Sequence, residues 1–122
     1  ATIPTLYRTL TFDPLALEPI GMVNEVPMAV IARRDFPAAN LAELVAVVRR
    51  EGRRLNLGNA GVGSTAHLAC ALLNQRLGVS PTLVPYRGTG PAIQDLVAGN
   101  VGYICDQVTS LMSQVQGGTI TP

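Results

Sequence analysis

The stretch Leu55 to Leu68, L-N-L-G-N-A-G-V-G-S-T-A-H-L, limits what this chain can fold into more than any other. It opens apolar and extended, passes Gly58, Gly61 and Gly63, and meets Ser64 just before an apolar run with helical spacing. That order spells a strand, a tight turn and a helix N-terminus in immediate succession. The first amides of a helix have no partner inside it and carry the positive end of its dipole. Glycines let the chain turn sharply and let a ligand approach bare backbone. The corner therefore reads either as a seat for a carboxylate or phosphate, or as a plain βα turn capped by Ser64.

A chain of 122 residues is long enough for one domain with its own core. With 48% hydrophobic and 14% charged residues it reads as folded rather than disordered. No apolar run reaches the ~18 residues of a membrane span. The first residue is Ala1, not Met, and no basic-then-apolar leader follows, which reads as a chain processed or cut from something longer. A net charge of +1 gives no sign of a nucleic-acid or membrane partner. Every basic residue is Arg, so neither a P-loop lysine nor a Schiff-base lysine is available. A single His, His67, leaves no multi-histidine metal site, and neither metal nor cofactor is expected. Cys70 and Cys105 form no C-x-x-C pair; they read as two buried thiols ahead of one disulfide.

Along the chain, Ala1 to Pro19 reads as an irregular lead-in with at most a short turn of helix. Ile20 to Asn24 is a possible short strand, and Met28 to Arg33 a better one. Asn40 caps a helix, with Glu43 three residues on as in a capping box and Leu41, Leu44, Val45 and Val48 on its apolar face. Arg49, Arg50, Arg53 and Arg54 read as a solvated helix end before and after Gly52. After the glycine corner a helix is predicted from Thr65 to Leu77, its apolar side formed by Leu68, Ala69, Leu72, Leu73 and Leu77, with Gly78 closing it. Thr82 to Pro85 is a strand. Pro91 reads as the first residue of the next helix, with Gly90 as cap and Ala98 near its end. Val101 to Cys105 is a strand, Val108 to Val115 a final helix, and Thr119 to Pro122 an extended tail.

From Met28 on, strands and helices alternate. That order predicts a three-layer α/β domain over residues 1–122, with a mostly parallel sheet and helices on both faces. Ligands of such sheets sit outside the carboxyl ends of the strands. Asn59 to Ser64, Tyr86 to Gly90, and Asp106 all fall on that rim and should converge.

Catalytic constellations fit poorly. The spacing is G-x-x-G-x-G-S, not the dinucleotide G-x-G-x-x-G. Ser64 and His67 lie three apart at the start of one helix, unsuited to act as nucleophile and base, and Ser64 lacks the G-x-S-x-G elbow. Asp95 and Asp106 are single acids in different elements rather than a working pair. What remains is a rim of amides from Gly61 to Thr65, the hydroxyls of Ser64, Thr65 and Thr89, and the carboxylate of Asp106. Asp106 suits a ligand hydroxyl or amino group and equally the N-cap of the last helix.

At these residues the sequence resembles the solute-binding receptors of tripartite tricarboxylate transporters, the Bug-type receptors. L-Y-R-T-L-T-F-D-P-L, Leu6 to Leu15, is similar to that family's L-Y-x-x-L-x-Y-D-P. Leu55 to Leu68 is similar to L-N-Y-G-S-A-G-x-G-S-x-x-H-L. V-P-Y-R-G-T-G-P-A-I-Q-D-L, Val84 to Leu96, is similar to V-P-Y-K-G-x-x-P-A-x-x-D-L, and G-N-V-G-Y-I-C-D-Q, Gly99 to Gln107, to G-x-V-D-x-M-F-D-N.

The resemblance implies a non-catalytic periplasmic receptor of type II binding-protein fold, in which two α/β lobes close on a small carboxylate and present it to membrane permease subunits. It implies that this chain is the second lobe only, the first being absent, so that an apolar face built for the other lobe invites self-association. Carried over by position, the anion corner falls on Ala60, Gly61, Gly63, Ser64 and Thr65, and the cleft acid on Asp106, with Thr89 in a variable loop. Cys105 and Gly102 stand where the family usually has Phe and often has Asp, and both are expected to flank the site. An oxidising periplasm raises the prospect of a Cys70–Cys105 disulfide without placing it ahead of the thiols. The other reading kept open is a small α/β enzyme or phosphate-binding domain using the Ser64 corner.

Overall fold

The computed structural model describes residues 9–121; the lead-in up to Arg8, and Pro122, lie outside them. Five strands and four helices follow in order: β1 (Met28–Arg33), α1 (Leu41–Glu51), β2 (Asn56–Asn59), α2 (Thr65–Leu77), β3 (Thr82–Pro85), α3 (Thr89–Val97), β4 (Tyr103–Gln107), α4 (Val108–Gln116) and β5 (Ile120–Thr121). Single 3-10 turns occupy Pro14–Ala16 and Gly52–Arg54. The sheet order is β3-β2-β4-β1-β5. β2 pairs in parallel with both β3 and β4, while β1 runs antiparallel to β4 and to β5.

Thus β2, β3, β4 and β5 point one way and β1 alone points the other. The alternation of elements predicts the parallel set but not this reversal. β1 ends, and β2 begins, at the same end of the sheet, so α1 joins them without a full crossover. Two layers of helix sandwich the sheet. On one face Leu44, Val47 and Val48 of α1 and Cys70 of α2 pack on Leu57, Tyr103 and Cys105. On the other, Ala92, Ile93 and Leu96 of α3 and Leu111 of α4 pack on Ile31, Ile104 and Ile120. Period-two alternation does the sorting: in β4, Tyr103 and Cys105 serve one face and Ile104 the other. Each fully buried aliphatic side chain here contributes roughly 1.5–3 kcal/mol.

Caps set the helix bounds. Asn40 Oδ1 accepts from the Glu43 amide at 3.0 Å, and Glu43 Oε2 in turn takes the Ala39 amide at 2.8 Å. Gly52, at φ 55°, ends α1. Arg49 donates to the Leu77 carbonyl at the foot of α2 and Arg50 pairs with Glu51, so these arginines finish helix ends.

Several expectations are corrected. Ile20 to Asn24 forms no strand; Ile20, Met22 and Val23 stand exposed with no neighbouring strand to pair with. α3 starts at Thr89 with Gly88 as N-cap, two residues earlier than the Gly90-Pro91 signal implies; a proline still fits there, because the first turn needs no amide partner. β4 begins at Tyr103 rather than Val101. The tail gains a short strand, since Ile120 and Thr121 pair with Arg33 and Ala32. α2 turns Ala66, Cys70 and Asn74 inward, and Leu72 faces solvent. Cys70 and Cys105 are not free thiols but a disulfide, with Cα atoms 5.8 Å apart. Gly102 does not flank the rim: it sits at the opposite end of β4 from Asp106, where a Cβ would fall 2.5 Å from Leu55 Cδ1 and 3.0 Å from Phe36 Cε2.

Candidate functional site

The carboxyl ends of β3, β2 and β4 lie side by side, and the switch point falls between β2 and β4, whose onward connections run to opposite sides of the sheet, to β3 and to β5. α2 carries the chain outward to β3, and α3 brings it back past β2 to β4. Such a switch point leaves a crevice between diverging connections. The three rim loops meet there. The Tyr86 amide donates to the Asn59 carbonyl at 2.9 Å, and the Gly88 amide to the Ala60 carbonyl at 3.2 Å. The Thr89 hydroxyl donates to Asp106 Oδ2.

The corner after β2 is built by its own side chains. Asn59, 1% exposed, accepts the Gly61 amide on Oδ1 at 3.0 Å, an Asx-type brace across the turn. Gly61 holds φ 121°, and a Cβ there would lie 2.9 Å from the Tyr86 carbonyl oxygen, so the position admits glycine only. Ser64 caps α2, its Oγ accepting from the His67 amide at 3.1 Å, and Gly78 closes the helix at φ 63°. His67 Nδ1 accepts the Gly63 amide at 3.2 Å. Its lone pair is therefore committed to the turn, in the capping role, and is not free to act as a base toward Ser64.

These bonds decide which amides remain for a ligand. Gly61, Gly63 and Ser64 donate within the turn, to Asn59, His67 and the Gly61 carbonyl. Among the described residues the amides of Ala60, Val62, Thr65 and Ala66 have no acceptor. Of the residues singled out in the sequence, Thr65 thus offers its amide and its exposed side chain, Ala60 gives a carbonyl to the frame, and Gly61, Gly63 and Ser64 shape the corner from within.

Asp106 is 6% exposed and belongs to β4. It is not the N-cap of α4; Gln107 holds that place. Asp106 Oδ1 accepts the Gln107 amide at 2.7 Å, and with Thr89 on Oδ2 each oxygen keeps one lone pair for a further donor. Thr89, the first residue of α3, is brought directly against the acid. Beside this site Tyr86 donates to Asp95 Oδ2 at 2.6 Å. Burial, reinforced by the Asp95 hydrogen bond and charge, pushes the Tyr86 phenol up to about 12. Hydrogen bonds from Tyr86 and Asn100 hold the Asp95 carboxyl below its usual range.

The amide run read from the sequence, Gly61 to Thr65, includes Val62, and the rim loops include Asn59 and Tyr86; the Ala66 amide, the bracing role of Asn59 and the Tyr86–Asp95 bond were not read from it. Asn59 had a signal, an Asn two residues before a turn glycine; which amides stay free had none, since that depends on which neighbours are already bonded. No cluster of three potential metal ligands occurs among the described residues, and no helix there is long and apolar enough to cross a membrane.

The model of the tripartite tricarboxylate transporter family receptor matches residues 1–121. The chain belongs to that receptor family. The UPF0065 protein of the TAR-I ttuE-ttuC' intergenic region of Agrobacterium vitis is 36% identical over 98% of this chain and 35% of its own length. Among solved structures, Rpa4515 of Rhodopseudomonas palustris with adipate is 32% identical, with a TM-score of 0.87 over 95% of this chain and 39% of that one. MatC of the same organism with bound malate is 41% identical, with a TM-score of 0.76 over 79% of this chain and 33% of that one. The receptor chain described here spans about a third of the length of such relatives, and its architecture is that of one lobe of a periplasmic binding protein.

Proposed function

We propose that this chain is the second, ligand-binding lobe of a periplasmic receptor for a small carboxylate-bearing solute, and that it catalyses nothing. The whole receptor would close two lobes on the solute and hand it to the permease subunits of a tripartite tricarboxylate-type transporter. One observation carries the reading: the amides of Val62, Thr65 and Ala66 are unbonded at the end of the sheet that also holds Thr89 and Asp106, in a chain whose solved relatives hold malate and adipate. The α2 N-terminus supplies dipole and donors for a carboxylate. The spare acceptor capacity of Asp106 suits a hydroxyl or amino group elsewhere on the solute.

Strand direction supports the two-lobed arrangement. β1 enters the sheet at the rim with Met28, and β5, running antiparallel beside it, points back toward that rim. Connections to a first lobe would leave together on the ligand side, as paired hinge strands do. Phe12, Leu15, Ile20 and Val23, exposed in this lobe, would meet the other lobe or, without it, a second copy.

The test is a thermal-shift panel of mono-, di- and tricarboxylates and phosphates on this chain and on a longer receptor with the first lobe attached. A carboxylate that stabilises the two-lobed protein strongly and this lobe weakly supports the proposal. Stabilisation by phosphate alone in both would overturn it in favour of a phosphate-binding domain.

A further inference from the structure

The two halves of the rim come from different elements. The free amides belong to the turn that starts α2, and the acid and its hydroxyl partner belong to β4 and α3. A ligand that touches both reads the distance between α2 and β4. That distance depends on how α2 lies on the sheet, and packing fixes it unevenly. At the far end Tyr103 donates to Asn74 Oδ1 at 3.3 Å, and both residues are buried. On the flank facing β1 the contact is incomplete. A solvent-open groove of about 380 Å³ runs between Met28 and Val30 of the strand and Leu72, Leu73 and Arg76 of the helix, with Cys105 in its wall. Close packing holds elements in place, and a helix with an unfilled groove along one flank has room to tilt into it.

Cys70 and Cys105 close that freedom covalently. Cys70 sits about one and a half turns into α2, and Cys105 is the residue immediately before Asp106. Both are buried, at 0% and 3% exposure. The bond therefore ties the helix that offers the amides to the strand that offers the acid, at the edge of the groove.

Resting on the carboxylate-site reading above, we infer that the Cys70–Cys105 disulfide is a positioning device. It sets the spacing between the Val62–Ala66 amides and the Thr89–Asp106 pair, and so acts on ligand affinity through those groups without touching ligand.

The experiment compares the oxidised chain with Cys70→Ala/Cys105→Ala by backbone amide NMR, titrating each with L-malate and with adipate. Cys70→Ala/Cys105→Val, which refills part of the space, is carried alongside should the first variant lose its folded spectrum. The expected result is that ligand shifts the Val62, Thr65 and Ala66 amides in the oxidised chain, and that affinity falls roughly fivefold or more in the folded variant. Hydrogen exchange at Gly63, His67 and Gln107, whose amides are bonded inside the rim, should quicken more than at Thr82, bonded to Leu55 away from it. A merely stabilising bond would raise exchange evenly. Equal affinity with and without the bond, in a chain that does bind, overturns the positioning role and leaves the carboxylate site standing. No response of the rim amides in any form overturns both.

Discussion

Thr89 donates its hydroxyl to Asp106 across 17 residues of sequence, joining the first residue of α3 to the end of β4. This bond brings together two loops that the topology alone only makes neighbours. It also occupies one oxygen of a carboxylate that is 6% exposed. Thr89→Val should destabilise the domain by about 1.5–3 kcal/mol, the range for a hydrogen bond to a charged group whose loss leaves a buried acceptor short. Thr89→Ser should restore most of it. Urea denaturation of the three proteins decides the matter, and equal midpoints for Val and Thr would refute the structural importance of this bond.

Gly61 and Gly78 make a matched pair of probes. Both hold positive φ, but a Cβ at 61 would meet the Tyr86 carbonyl oxygen at 2.9 Å, whereas one at 78 meets nothing within 4 Å. Gly78→Ala should cost about 1 kcal/mol of backbone strain. Gly61→Ala should cost roughly 2–3 kcal/mol or more, because strain and clash add, and should also abolish any carboxylate-induced thermal shift. A Gly61→Ala protein that melts with the wild type would show that the turn is not built as described.

Loss of the disulfide has a global effect distinct from any effect at the rim. The bond closes a loop of sequence separation 35, which in the chain-entropy model is worth roughly 3–4 kcal/mol. Unfolding in guanidinium with and without a phosphine reductant should show a loss of unfolding free energy of that size, read from the midpoint and slope. Because both cysteines are buried, reduction should require opening of the domain and be slow in the absence of denaturant.

The Tyr86–Asp95 pair predicts two pH windows. The Tyr86 phenol is raised from 10.0 to about 12 in the folded state. It therefore contributes stability that is complete below pH 10 and is lost as pH climbs toward 12. The Asp95 carboxyl is lowered, so its contribution is complete above its ordinary value and is lost as pH falls through the lowered one. Tyr86→Phe should flatten the alkaline loss and weaken the acid one, read from denaturation midpoints across pH.

Where structure follows from neighbours in sequence, the chain was legible. α2 begins at Thr65 and ends at Leu77 as read, because Ser64 and Gly78 are strong local stop signals. α1 follows from its capping box in the same way, and β1 and β3 fall where their short apolar runs lie. What depended on distant partners was not legible. Ile20 to Asn24 has strand-like residues and no ladder; Ile120 and Thr121 have an unremarkable sequence and become a strand because the edge of β1 is free. The reversal of β1, the disulfide and the slip of β4 to Tyr103 share that origin. At the corner after β2, the sequence shows the glycines and the Ser64 cap, but only the folded turn shows that Gly61, Gly63 and Ser64 spend their amides on the turn itself while Val62 and Ala66 do not.

The pairing of β1 with β5 has a consequence for engineering. Neighbouring strands lie about 4.8 Å apart and rise about 3.4 Å per residue; Thr121 ends β5 beside Ala32, a few residues past the start of β1 at Met28, so the two outer strand ends lie within about 15 Å of each other at one edge of the sheet. A host protein could carry the unit from β1 to β5 between two neighbouring loop ends. Such a graft would make the lobe a portable cassette, its rim facing whatever scaffold receives it.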